Sequence, residues 1–140
     1  MADLIYNSFK SDTLKGLIDL TTDDIKVMLV TSAYTPDKDT HTRRSDVANE
    51  VAGTGYTAGG KSLTTPTVTQ DNTNDKGVFD ADDVVWLAST ITARGAVIYK
   101  NTGVAANDNI IGYFDFGSDK ISTDGNFTLA LNALGVLDIT

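Results

Sequence analysis

Gly55-Tyr-Thr-Ala-Gly-Gly60-Lys61-Ser62 is the stretch that decides the fold. It fits the phosphate-binding pattern G-x-x-x-x-G-K-[ST] at every position, and a true phosphate loop would make the chain an α/β protein. In such a loop, backbone N–H groups cradle phosphates, the lysine neutralises them and the hydroxyl holds magnesium. That chemistry needs a buried strand before the loop and a helix after it. The preceding residues, Asn49-Glu-Val-Ala-Gly-Thr54, are too short and polar for a central parallel strand. The following ones, Leu63-Thr-Thr-Pro-Thr-Val-Thr69, are β-branched and contain Pro66, which breaks a helix. Without the helix, the loop loses the dipole and most of the donors of an anion site. The string therefore reads as a flexible loop, 53–60, feeding a strand, and the α/β reading falls with it. Gly53-x-Gly55-x-x-Ala58 approximates a dinucleotide fingerprint and fails for the same missing context.

Outward from this loop the chain reads as sheet. In Ile25-Lys-Val-Met-Leu-Val-Thr-Ser32 the period is two. Ile25, Val27, Leu29 and Thr31 share one face; Lys26, Met28, Val30 and Ser32 share the other. Further strands are predicted over 61–70, 76–80, 83–88, 91–100, 109–117, 125–132 and 135–139. Turn clusters such as Asp71-Asn-Thr-Asn-Asp75 and Thr123-Asp-Gly125 separate them. Phe127, Leu129 and Leu131 are expected inward, against Thr128, Ala130 and Asn132 outward. Both faces of Asp83-Val-Val-Trp-Leu-Ala88 are apolar, which suits an inner strand or a strand covered by a partner. The only predicted helix covers 5–18, with Ile5, Phe9, Leu14, Leu17 and Ile18 at roughly helical spacing and Asn7 or Ser8 as cap. Gly16 argues that it is short. Residues 33–48 are polar and read as a long loop with at most one helical turn. The fold class expected is all-β: an antiparallel β-sandwich or jelly roll in one domain, 1–140, with one short N-terminal helix.

The 140 residues carry a net charge of -8 and a sequence pI near 4.3. A polyanion repels phosphate backbones and anionic lipid, and the only adjacent basic pair is Arg43-Arg44, so neither nucleic acid nor membrane is an expected partner. No run approaches the roughly 20 apolar residues of a membrane-spanning helix. The first residues lack the basic region and apolar core of a signal peptide, so synthesis in the cytosol is expected. The absence of cysteine excludes disulfides, thiolate zinc sites and a cysteine nucleophile.

Other strings promise chemistry and lack its context. Asp115-Phe-Gly117 spells the magnesium-binding triplet of kinases, but no catalytic loop accompanies it. Phe114 and Phe116 are read as facing the core, with Gly117 opening a turn. Asp71, Thr73, Asp75 and Asp82 have calcium-loop spacing, yet Lys76 stands where glycine is needed, so the stretch reads as a turn. Asp80, Asp82 and Asp83 form a second acidic cluster, at most a weak cation site. The lone His41 has no G-x-S-x-G nucleophile to serve and reads as an exposed loop residue. No catalytic residue and no cofactor is expected, and the protein reads as a non-enzyme. Candidate contact residues are Arg43 and Arg44, as charge-assisted partners for acidic neighbours, with Tyr56 and Trp86. Trp86 also reads as a core anchor.

Several segments together resemble a family of small tailed-bacteriophage virion structural proteins. They are Tyr6-Asn-Ser-Phe9, Ile25 through Pro36, Asp46 through Gly60, Phe79-Asp-Ala-Asp-Asp-Val-Val-Trp86, Ile91 through Lys100, and Gly112-Tyr-Phe-Asp-Phe-Gly117. The resemblance runs in order over nearly the whole chain and extends to head cement (decoration) proteins of short-tailed phages. It implies a jelly-roll domain on the capsid exterior that clamps neighbouring major capsid protein subunits against internal DNA pressure. It further implies self-association as a homo-dimer or homo-trimer on capsid symmetry axes. The alternative is a tail-associated receptor- or glycan-binding β-sandwich module, since one fold serves both uses.

Overall fold

A computed structural model describes residues 1–131 and 135–140. In chain order the elements are β1 (Leu4–Ile5), α1 (Asn7–Leu14), β2 (Ile25–Val30), β3 (Lys61–Ser62), β4 (Thr67–Asp71), β5 (Lys76–Asp80), β6 (Val84–Lys100), β7 (Asn109–Leu129) and β8 (Leu137–Ile139). A single 3₁₀ turn, Arg44–Asp46, interrupts the long polar loop. Strand makes up 46% of the chain and helix 8%, so the mainly β reading holds. Two antiparallel sheets form, one ordered β1-β7-β6-β2-β3 and the other β4-β5-β8.

The alternation in β2 explains where the cores sit. Ile25, Val27 and Leu29 enter a cluster with Ala96, Ile98, Ile111 and Phe114 from the same sheet and Phe79 and Leu137 from the other. This cluster fills the sandwich. Met28 and Val30 point the opposite way into a second cluster, with Tyr6, Tyr34, Val97, Tyr99, Ile110 and Tyr113. The five-stranded sheet is thus covered on both faces: by the second sheet on one side and by the loop carrying Tyr34 and Val47 on the other.

Several boundaries differ from the sequence reading. The predicted strands 83–88 and 91–100 are one strand, β6, and 109–117 and 125–132 are one strand, β7, within the described residues. Turn-prone residues here make bulges instead of reversals, because both strands keep pairing through them: Ile91 opposes Ser122, Thr92 opposes Ile121, and Ala93 opposes Lys120. At the bend the Ser89 hydroxyl donates to the Trp86 carbonyl at 3.1 Å or to the Gly125 carbonyl at 3.0 Å and lies 2.8 Å from the Ser122 hydroxyl. Phe114 and Phe116 do pack on the core, but Gly117 (φ 78°) sits inside β7, where residues 116–119 bulge opposite Arg94. The predicted strand 61–70 is cut at Leu63–Pro66, where Thr65 takes φ 53°.

Phe127 and Leu129 are buried and Leu131 half-buried, with Thr128 and Ala130 exposed, as the alternation predicts; Asn132 lies outside the described residues. β6 lies between β7 and β2, an inner strand of its sheet as predicted, but at its start only one face is covered: Val84 and Trp86 are buried while Leu87 is exposed.

The helix is shorter than 5–18. Neither Asn7 nor Ser8 caps it: Tyr6 is the N-cap residue and makes no side-chain cap bond, while the Asn7 amide donates to Asp39. Phe9 and Asp12 are its buried residues. Leu14 is five positions from Phe9, a rotation of about 140° at 3.6 residues per turn, so it faces away from the core.

Candidate interaction surface

The glycine-rich loop is tied to the sheet by side-chain hydrogen bonds. Gly59 N–H donates to the Glu50 carboxylate at 2.7 Å, and the Tyr99 hydroxyl donates to the Gly59 carbonyl at 2.6 Å. The Tyr56 hydroxyl donates to Glu50 at 2.6 Å and accepts the Leu29 N–H at 3.0 Å. Glycine is required because the loop lies against other backbone: a Cβ on Gly60 would overlap the Val27 carbonyl, and one on Gly55 would come within 2.8 Å of Ser89. Lys61 and Ser62 form a strand, not the start of a helix. Lys61 donates to the Val85 carbonyl at 2.7 Å and lies over the Trp86 ring; Ser62 donates to Asp24 at 2.6 Å. Both groups a phosphate would need are used to hold the sheet edge.

The arginine pair is likewise turned inward. Arg43 meets Asp12 at 3.1 Å, whose carboxylate also accepts from the Asn109 amide at 2.7 Å. Arg44 donates to Asp108 at 2.7 Å and stacks over the Tyr99 ring. Burial alone would raise the Asp108 carboxyl, but hydrogen bonds from Arg44 and Thr102 outweigh it and hold it below the usual carboxylate range. The acidic neighbours expected for Arg43 and Arg44 are therefore the chain's own. His41 is half-buried and not exposed: it stacks on Tyr34, whose hydroxyl is 3.0 Å from Nδ1 and 2.8 Å from the Tyr6 hydroxyl. Burial pushes the Tyr6 and Tyr34 hydroxyls above the ordinary phenol value.

Trp86 is 1% exposed and packs between Tyr56 and Phe127, so of its two readings the core anchor is the one the fold realises. Tyr56 is half-buried against the same cluster. The acidic turns are also self-satisfied. Asp71 accepts the N–H groups of Thr73 and Asn74, Asp82 the hydroxyls of Thr64 and Thr65, and Asp83 the N–H of Leu131. Among the described residues no three His, Asp or Glu side chains converge as a metal site would require.

What the fold leaves open lies elsewhere, in residues the sequence places in elements but not at a contact surface. Leu14 is 89% exposed, Ile139 53% and Val68 52%. Ile139 joins them: it lines one shallow groove with Leu14, Ile5 and Phe9, and another with Val68, Gln70 and Gly77. Beside this patch runs β4, whose residues Thr67 to Gln70 are exposed throughout. Among the described residues it is an edge strand, paired only to β5. The out-of-phase spacing of Leu14 and the polar alternation of Thr67-Val-Thr-Gln70 were the signals that could have found this surface. The chain matches no family model, no curated protein and no solved structure.

Proposed function

We propose that this protein is a bacteriophage virion structural protein, a capsid cement that binds neighbouring major capsid protein subunits from outside the head and stabilises the shell. The observation that carries this reading is the division of labour in the surface. Most of the polar groups marked for chemistry are engaged within the fold, while an apolar patch (Leu14, Ile139, Val68) and a bare strand edge stand unpartnered among the described residues. An exposed apolar patch beside a free edge marks a protein-docking surface in general. The ordered resemblance to phage virion proteins supports the specific role. The jelly-roll form of the sandwich, self-association on capsid symmetry axes, synthesis in the host cytosol and residence on the virion exterior belong to the same proposal.

The test is direct. Purified protein should bind assembled heads stoichiometrically and raise their disruption temperature. Antibody labelling of tails in place of heads, with binding on a glycan array, would replace this reading by the tail-module one.

A further inference from the structure

Of the strands that end a sheet, β1 and β3 have two residues each and β8 has three, whereas β4 has five. Short length is one of the usual protections of an edge; a charged residue, a bulge or a cover are others. Among the described residues β4 has no cover along its outer edge, its register with β5 runs unbroken from Thr67↔Asp80 to Asp71↔Lys76, and Thr67 to Gln70 are uncharged. Pro66 lies just outside it.

The two faces beside this edge differ in chemistry. Residues directly opposite in antiparallel strands share a face, so Val68, Phe79 and Leu137 form one row, continuous with the sandwich core. The other face carries Thr67, Thr69 and Asp71 beside Asp80, Val78 and Lys76. Its single cation, Lys76, is bound at 2.7 Å by Asp138 across the sheet. Residues 63–83 contain five aspartates (Asp71, Asp75, Asp80, Asp82, Asp83) and one lysine, so the surroundings of the edge are strongly acidic.

We propose that β4 accepts an extended segment of another protein as an added antiparallel or parallel strand, with apolar side chains on the Val68 face alternating with basic ones on the Asp71–Asp80 face. Strand addition supplies affinity through main-chain hydrogen bonds and specificity through alternate side chains. A second copy of this chain is the poorer occupant. Pairing β4 with itself about Thr69 sets Asp71 of each copy opposite Thr67 of the other, in the row that already holds Asp80, with no free cation to offset them. The inference deepens the cement reading, and rests on it only in making the donor of the strand a capsid subunit.

The site can be tested without capsids, using a ten-residue peptide of alternating lysine and valine as the probe and its glutamate–valine counterpart as control. The lysine peptide should bind saturably, protect the 67–71 amides from hydrogen exchange, and bind at least ten-fold tighter than the glutamate peptide. Equal binding of the two, or binding without protection of β4, would overturn the proposal, as would a wild-type dimer whose β4 amides are protected before peptide is added. Val68→Pro and Thr69→Pro provide an internal control. Successive residues of an edge strand aim their N–H groups alternately at the neighbour and at solvent, so one of the two variants removes only a free donor. The variant that keeps the wild-type melting profile should bind the lysine peptide at least ten-fold more weakly; unchanged affinity refutes strand addition. Asp71→Asn with Asp80→Asn tests the charge independently of those variants, and should weaken binding several-fold at low salt. No change at low salt counts against the basic partner. Wild-type binding to heads is scored separately, so the cement role and the strand site can each fail alone.

Discussion

The Arg44 guanidinium donates a 2.7 Å hydrogen bond to Asp108, whose side chain is completely buried. Thr102 adds its N–H at 2.6 Å and its hydroxyl at 2.7 Å, so the carboxylate is fully solvated by the protein. This cluster ties the 3₁₀ turn of the long loop to the β6–β7 connection. Arg44→Met should destabilise by about 3–5 kcal/mol, because it strands a buried charge. Asp108 is held below the ordinary carboxylate value, so its contribution is complete above about pH 4 and is lost as pH falls through the lower folded value. In the variant, burial without the arginine favours the neutral acid. Urea melts at pH 7 and pH 3 should therefore show the gap between wild type and Arg44→Met narrowing in acid; a constant gap would show that the pair does not govern this loop.

At the other end of the pH scale the tyrosines dominate. All five have hydroxyls raised above the ordinary phenol value, with burial the leading cause in each; Tyr99 is pushed up to about 12. A raised folded value means the unfolded chain loses its tyrosine protons first. The stability these groups contribute is then present below about pH 10 and lost as pH rises toward the folded values. Each should steepen the loss by about 1.4 kcal/mol per pH unit. Tyrosinate absorbance should appear together with unfolding as seen by circular dichroism. Ionisation of all five near pH 10 in a still-folded protein would contradict the buried network.

Gly60 and Gly16 share nearly the same backbone angle, φ 74° and 71°, and differ in what surrounds them. A Cβ at Gly60 meets the Val27 carbonyl and Met28; one at Gly16 meets open space. Gly16→Ala should cost about 1 kcal/mol, the strain of a left-handed alanine alone. Gly60→Ala should cost about 3 kcal/mol or more, since strand backbone must move. Similar costs in thermal melts would mean the loop is not pressed onto β2.

Period-two alternation made β2 legible, and β5 falls on residues 76–80 as predicted, because both carry a buried residue flanked by unambiguous turn signals. The β6–β7 pair was not legible as two long strands. Ala88-Ser89-Thr90 and Ser122-Thr-Asp-Gly125 have the composition of turns, and only their mutual pairing through the Ser89–Ser122 contact makes them bulges. The glycines of 53–60 suggested freedom, whereas what they confer here is close approach. Of the expected contact residues, Arg43, Arg44 and Trp86 drew notice through their residue type. Their partners, Asp12, Asp108 and Phe127, lie 31, 64 and 41 positions away, a separation no local pattern encodes. β4 was legible as part of the strand predicted over 61–70, but its place at a sheet edge was not: an uncharged polar strand looks ordinary until the fold, among the described residues, leaves its outer edge unpaired.

Lys61 offers the sharpest discrimination between a nucleotide site and a structural one. Its ammonium is held by the Val85 carbonyl at 2.7 Å and sits 6.0 Å from the centre of the Trp86 ring, bridging the β3 edge to the start of β6. A phosphate could recruit it only by breaking both contacts, and Ser62 would have to leave Asp24 as well. Lys61→Ala should therefore lower stability by about 1 kcal/mol, the worth of one hydrogen bond with a partly exposed cation–π contact. Calorimetric titration with ATP and magnesium should give no binding heat for wild type or variant. Saturable heat in the wild type that disappears in Lys61→Ala would reinstate the phosphate loop and displace the docking-surface reading. A loss of stability with silent titrations fits a lysine that serves the sheet.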